Sequence, residues 1–159
     1  MKTKAFQDFY PDDLAHCYGC GKLNEWGHQL KTHWDGEESV SFFKPESYHT
    51  AVPGYLYGGL IASLIDCHST GTAAAAKYRE EGRAMSTLPA FRFLTASLTV
   101  NYLKPTPIDK EIEIRGNIKE IKGRKVIVST RLMVNGEICA QGEVITVQMP
   151  EGMELGKPK

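Results

Sequence analysis

The sequence predicts an α+β domain in which a curved antiparallel sheet wraps one long central helix. Three observations predict it. From Gly58 to Glu81 there is no proline, and Leu60, Ile61, Leu64, Ile65, His68 and Thr72 recur at three-and-four spacing, the period of a helix. Four alternating segments follow in succession, "FRFLTASLTVNYLKP", "KEIEIRGNIKEIKG", "RKVIVSTRLMVNGE" and "EICAQGEVITVQMP". The last two join at Asn135 and Gly136, the strongest short hairpin signal.

The helix is about 24 residues, or roughly 36 Å at about 1.5 Å per residue, and is apolar nearly all round. Such a helix must be enclosed, and the alanines at 73 to 76 allow a sheet to approach it closely. Gly82 is its expected stop. Upstream, "HQLKTHW" and "SVSFF" read as two short strands around the turn "DGEE", and "KPESYHTAVPGY" is a Pro/Gly-rich connection into the helix. In the first segment after the helix, Leu94, Ala96, Leu98, Val100 and Tyr102 are expected on one face and Thr95, Ser97, Thr99 and Asn101 on the other. The four consecutive strands read as a meander. Together these elements are the architecture of a hot-dog fold.

The 159 residues suffice for one domain, with an N-terminal lead over about 1–27 and a frayed tail over about 151–159. Nineteen basic residues balance nineteen acidic ones, so the charge gives no sign of a broad nucleic-acid surface or an anionic membrane partner. The N-terminus lacks an apolar signal region, and Asp66 and His68 interrupt the most apolar run, so neither secretion nor a membrane span is expected and the chain is read as cytoplasmic. Four cysteines are too few for a disulfide framework and are read as free thiols. "CYGCG" has no second Cys or His pair at zinc spacing, so it is read as a tight turn packed on the core, with no metal.

The chemistry centres on the helix. Gly58 and Gly59 open it, where amides lack internal partners and the dipole is positive. They form either an oxyanion site or simply a glycine-rich turn. Asp66 stands among Leu64, Ile65 and Cys67, where desolvation should raise its pKa towards that of a general base. A structural ion pair or a solvent-facing stripe are the alternatives, and Ser63, Asp66 and Thr70 do form a narrow polar stripe. Gly58 and Asp66 lie eight residues apart, about 12 Å along a helix, too far to act on one carbonyl. If both act, a two-fold dimer with antiparallel central helices must bring Asp66 of one subunit to Gly58 of the other.

Four ordered pieces, "CYGCG", "HTAVPGYLYGG", Asp66 and "TASLTVNYLKP", resemble the hot-dog acyl-CoA thioesterases of the phenylacetate-pathway and thioesterase-superfamily type. The resemblance implies that Asp66 orients or activates water, or attacks as a nucleophile. It gives the oxyanion donor as the Gly58 amide of the partner subunit and places Thr95, seven residues before Tyr102, on the water. Substrate contacts are expected from Tyr57, Gly59, Thr50 and Tyr102; Lys104, and Arg124 of the "KGRK" turn, are either contacts for the coenzyme A phosphates or solvated turn residues. It further implies an acyl-CoA substrate, a homodimer or dimer of dimers, and no cofactor besides coenzyme A in the substrate. The family's motif histidine is Tyr57 here, and its usual Gln or Asn falls at Thr50 or Ala51. These departures keep a non-catalytic acyl-CoA-binding module as the alternative. A dehydratase of this fold is disfavoured by the absence of its motifs. His49 and His68 are read as packed, hydrogen-bonded residues rather than bases.

Overall fold

A computed structural model describes residues 2–157. The elements run β1 (Thr32–Asp35), β2 (Glu38–Phe43), α1 (Gly58–Glu80), β3 (Phe93–Tyr102), β4 (Ile112–Lys122), β5 (Lys125–Val134) and β6 (Glu137–Gln148), after two short 3₁₀ turns at Phe6–Phe9 and Asp12–Leu14. All strands join one antiparallel sheet of order β1-β2-β4-β5-β6-β3, and α1 packs on it. This is the hot-dog arrangement the sequence predicts.

Helix α1 ends where Gly82 takes φ +63°, with the Gly82 amide donating to the Arg79 carbonyl and the Arg83 amide to the Tyr78 carbonyl. That pair of bonds is a Schellman cap, which satisfies carbonyls the helix leaves open. Leu64, Ile65 and Ala73 to Ala76 are buried, and Ala73 and Ala74 pack with Val126 and Val128. Asn135 and Gly136 both adopt positive φ in the two-residue turn between β5 and β6. No helix of the described residues is long and apolar enough to cross a membrane.

Two strand expectations are corrected. Only β4, β5 and β6 form a meander; β3 pairs with β6 at the far edge and β4 with β2. The link from β3 to β4 carries Pro105 and Pro107 and is held across the helix entrance, where the Leu56 amide donates to the Thr106 carbonyl. That path separates the two strands instead of turning back as a hairpin. The second correction is a β-bulge at Ala96, where the register passes from Thr95↔Thr146 to Ser97↔Ile145. A bulge reverses the alternation. Thr95 therefore shares the helix-facing side with buried Thr146, as Leu98 and Val100 do after the bulge, while Leu94 turns outward.

His68 meets its expected packed role. Ser41 Oγ lies 2.7 Å from its Nδ1 and Ser39 Oγ 2.8 Å from its Nε2. The serines of β2 thus face inward, and burial pushes the imidazole pKa down to about 3. With the folded pKa depressed below the ordinary 6.5, this residue's stability contribution is full above 6.5 and is lost as pH falls towards about 3. The slope it adds is at most about 1.4 kcal/mol per pH unit. The His68 ring resonances are expected not to titrate between about pH 8 and 5 in an NMR series; an ordinary midpoint near 6.5 would contradict the assignment.

Candidate active site

The bulge gives Asp66 its partner. Asp66 is half-buried on α1, and the Thr95 hydroxyl donates to its Oδ1. Burial raises the Asp66 pKa, with the nearby Cys17 adding to the rise, while the Thr95 hydrogen bond and Arg92 oppose it. Desolvation dominates, so the carboxylate is a stronger base than an exposed aspartate. Of the polar stripe, Ser63 and Asp66 keep partial exposure, but Thr70 is buried and its hydroxyl donates to the Cys67 carbonyl. The stripe is therefore shorter than expected, because Thr70 bonds its own helix backbone.

At the helix entrance Tyr57 is the N-cap, with φ −60° and ψ 127° and no side-chain cap. Its carbonyl takes the Leu60 and Ile61 amides at 3.1 and 3.2 Å. Among the described residues, the Gly58 and Gly59 amides have no acceptor. They are open donors at the positive end of a 23-residue helix. The Tyr102 hydroxyl donates to the Gly58 carbonyl at 2.7 Å, tying β3 to this entrance. The Tyr57 ring folds back over Gly59, where an added Cβ would lie 2.5 Å from it.

Thr50, Tyr57 and Gly59 line a cavity of about 370 Å³ beside the entrance, together with Tyr18, His28, His49 and Ser63. The His49 Nδ1 accepts the Glu46 amide at 2.9 Å, and His28 packs against the rings of Tyr18, Phe43 and His49. Burial, aided by His49, lowers the His28 pKa, which favours a neutral cavity wall. Sequence reasoning missed Tyr18 and His28, whose only signal was that Tyr18 lies within the "CYGCG" turn and His28 shortly after it.

The remaining expected residues lie apart from this cavity. Lys104 pairs with Glu137, and the Arg124 guanidinium donates to the Gln148 carbonyl at 2.7 Å. Asp66 is eight residues beyond Gly58 on one unbroken helix, so about 12 Å separates them within a chain. A third group was also missed: Cys67 of α1 joins Cys17 and Cys20, with all three sulfurs within 4.8 Å of one another.

An acid-bearing central helix wrapped by an antiparallel sheet, with open amides at its start, defines a hot-dog domain. The thioesterase superfamily matches residues 53–140, more than half of the chain, and the chain belongs to that superfamily. It is 36% identical over 93 residues to the acyl-coenzyme A thioesterase THEM4 of Mus musculus, a match covering 58% of this chain and 34% of that protein. The chain thus spans about a third of the length of the curated relatives it matches. A solved thioesterase superfamily protein from Shewanella loihica is 44% identical with a TM-score of 0.69, covering 91% of this chain and 99% of that one. Thioesterase superfamily member 2 from Mus musculus is 25% identical with a TM-score of 0.57, covering 76% and 82% respectively.

Proposed function

We propose that this chain hydrolyses acyl-coenzyme A thioesters to a carboxylic acid and free coenzyme A. The observation that carries the reading is the Asp66–Thr95 pair, a half-buried base of raised pKa held by a hydroxyl. Membership of the thioesterase superfamily supports the reaction class.

In this reading water held by Asp66 and Thr95 attacks the carbonyl carbon, and Asp66 takes the water's proton. The carbonyl oxygen becomes an oxyanion held by the Gly58 amide. Collapse breaks the carbon–sulfur bond, and the leaving thiolate recovers the proton from Asp66. Attack by the Asp66 carboxylate itself, through a mixed anhydride that water then opens, gives the same products. Both routes use only water and this chain's own groups. Thr50, Tyr57, Gly59 and Tyr102 frame the substrate side, and Lys104 and Arg124 exchange their internal partners for the coenzyme A phosphates.

The separation of Gly58 from Asp66 requires a homodimer in which each site draws on both chains. The edge strand β3 favours such pairing: every residue from Leu94 to Thr99 is exposed, Leu98 on the helix-facing side among them. An uncovered strand of ten residues is a ready surface for a second copy.

A second reading, a non-catalytic acyl-CoA-binding module, is favoured by the Tyr57 ring over Gly59. A coupled thiol-release assay across acetyl, aromatic and long-chain acyl-CoA separates the two. Turnover on at least one substrate is expected. Saturable binding with no thiol release across the panel would establish the binding module instead.

A further inference from the structure

We infer that Cys17, Cys20 and Cys67 form a thiolate site for one zinc ion, joining the N-terminal lead to the central helix beside Asp66. The three sulfurs lie within 4.8 Å of one another, and those of Cys17 and Cys67 are 3.8 Å apart. Zinc–sulfur bonds of about 2.3 Å in a tetrahedron place sulfurs about 3.8 Å from each other. The Cys17–Cys67 separation is that of two ligands sharing a metal, the other sulfur pairs lie within 4.8 Å, and all three residues are free thiols.

The backbone around them is shaped for the same purpose. The Gly21 amide closes a tight turn on the Cys17 carbonyl at 2.7 Å. The turn presses on α1: a Cβ at Gly19 would stand 2.2 Å from the Cys67 sulfur. Only glycine lets the two segments bring their sulfurs this close.

Charge and access agree with this assignment. Three thiolates with one divalent ion leave a net charge of −1, and the Arg92 guanidinium lies near these thiols, stacked 4.6 Å from the Tyr10 ring. Cys20 and Cys67 are buried while Cys17 is half-buried, so the site has one open side. Three protein ligands leave the fourth tetrahedral position to water or an external ligand. Thiolate ligands select zinc over hard cations such as magnesium.

Zinc uptake displaces the thiol protons to solvent, and no electron is exchanged. Because Cys67 follows Asp66 directly, the ion would fix the helix turn that presents the carboxylate. The inference does not depend on hydrolysis, since its readout is metal binding.

The test uses the full chain, reduced with a phosphine and titrated with zinc against a chromophoric chelator, and in parallel with cobalt(II). Wild type and Cys139→Ala, which alters the buried fourth cysteine outside the cluster, are expected to bind one ion per chain and to show sulfur-to-cobalt charge-transfer absorption. Cys17→Ala, at a half-buried position on the rim of the core, is expected to lose about 100-fold or more in affinity together with that absorption. Cys67→Ala should behave likewise if it folds. Equal affinity in wild type and Cys17→Ala, cobalt bound without thiolate absorption, or no uptake by the reduced wild type would each overturn the inference.

Discussion

Replacing Asp66 with Asn is expected to lower kcat by about 10²–10⁴-fold while leaving the fold intact. Asparagine keeps an oxygen for the Thr95 hydroxyl but has no basic lone pair to take the water's proton. Stability should not fall. The native Asp66 pKa is raised, so its contribution is present below the unfolded value of 3.8 and is lost as pH rises through the folded value. At pH 7 the ionised carboxylate is a cost that asparagine removes, and thermal melting should place the variant at or above wild type. The acid limb of kcat/KM in wild type should have its midpoint above 3.8, because only the ionised carboxylate is a base. Undiminished turnover by Asp66→Asn, or an acid limb at or below that value, would remove Asp66 from the base's role.

The second large effect is expected at Gly58. Proline there removes the amide hydrogen and little else. Proline is favoured at the first helical position, where the amide makes no internal bond. Tyr57 already has the extended ψ of 127° that a following proline demands. An added Cβ at Gly58 would sit 3.5 Å from the Tyr102 ring, an ordinary contact. Gly58→Pro should therefore fold and pair normally, yet lose about 10²–10³ in kcat if the amide holds the oxyanion. Wild-type kcat in a folded variant would mean that the helix entrance is only a turn.

Much of the fold was legible because its signals are local. The proline-free apolar run, Gly82 and the Asn135–Gly136 turn each act within a few residues, and the structure bears out all three. Less legible were features set by pairing at long range. A bulge at Ala96 costs the sequence no visible mark, since alanine suits either face, yet it decides that Thr95 rather than Leu94 faces Asp66. The edge position of β3 depends on how the Pro105 and Pro107 link crosses the helix entrance, which no strand pattern records.

The same division runs through the site. Asp66 stood out in the sequence because a carboxylate is costly on an apolar helix. Cys67 did not, since a single cysteine on an apolar helix reads as packing; only folding places it on the CxxC turn that starts 50 residues earlier. Tyr18 and His28 joined the cavity for the same reason. The aromatic wall is assembled from the lead and the helix entrance, which are adjacent only in space.

The central claim is that each site takes its base from one chain and its oxyanion donor from the other. It is tested most directly by mixing Asp66→Asn and Gly58→Pro proteins, dissociating them and letting them reassociate. Random pairing makes about half of the dimers mixed, and each mixed dimer holds one site with an intact Asp66 and an intact Gly58. Recovery of about a quarter of wild-type activity from two inactive parents is expected. No recovery despite verified mixed dimers would place both groups in one chain, or one of them outside the reaction, and would contradict the account.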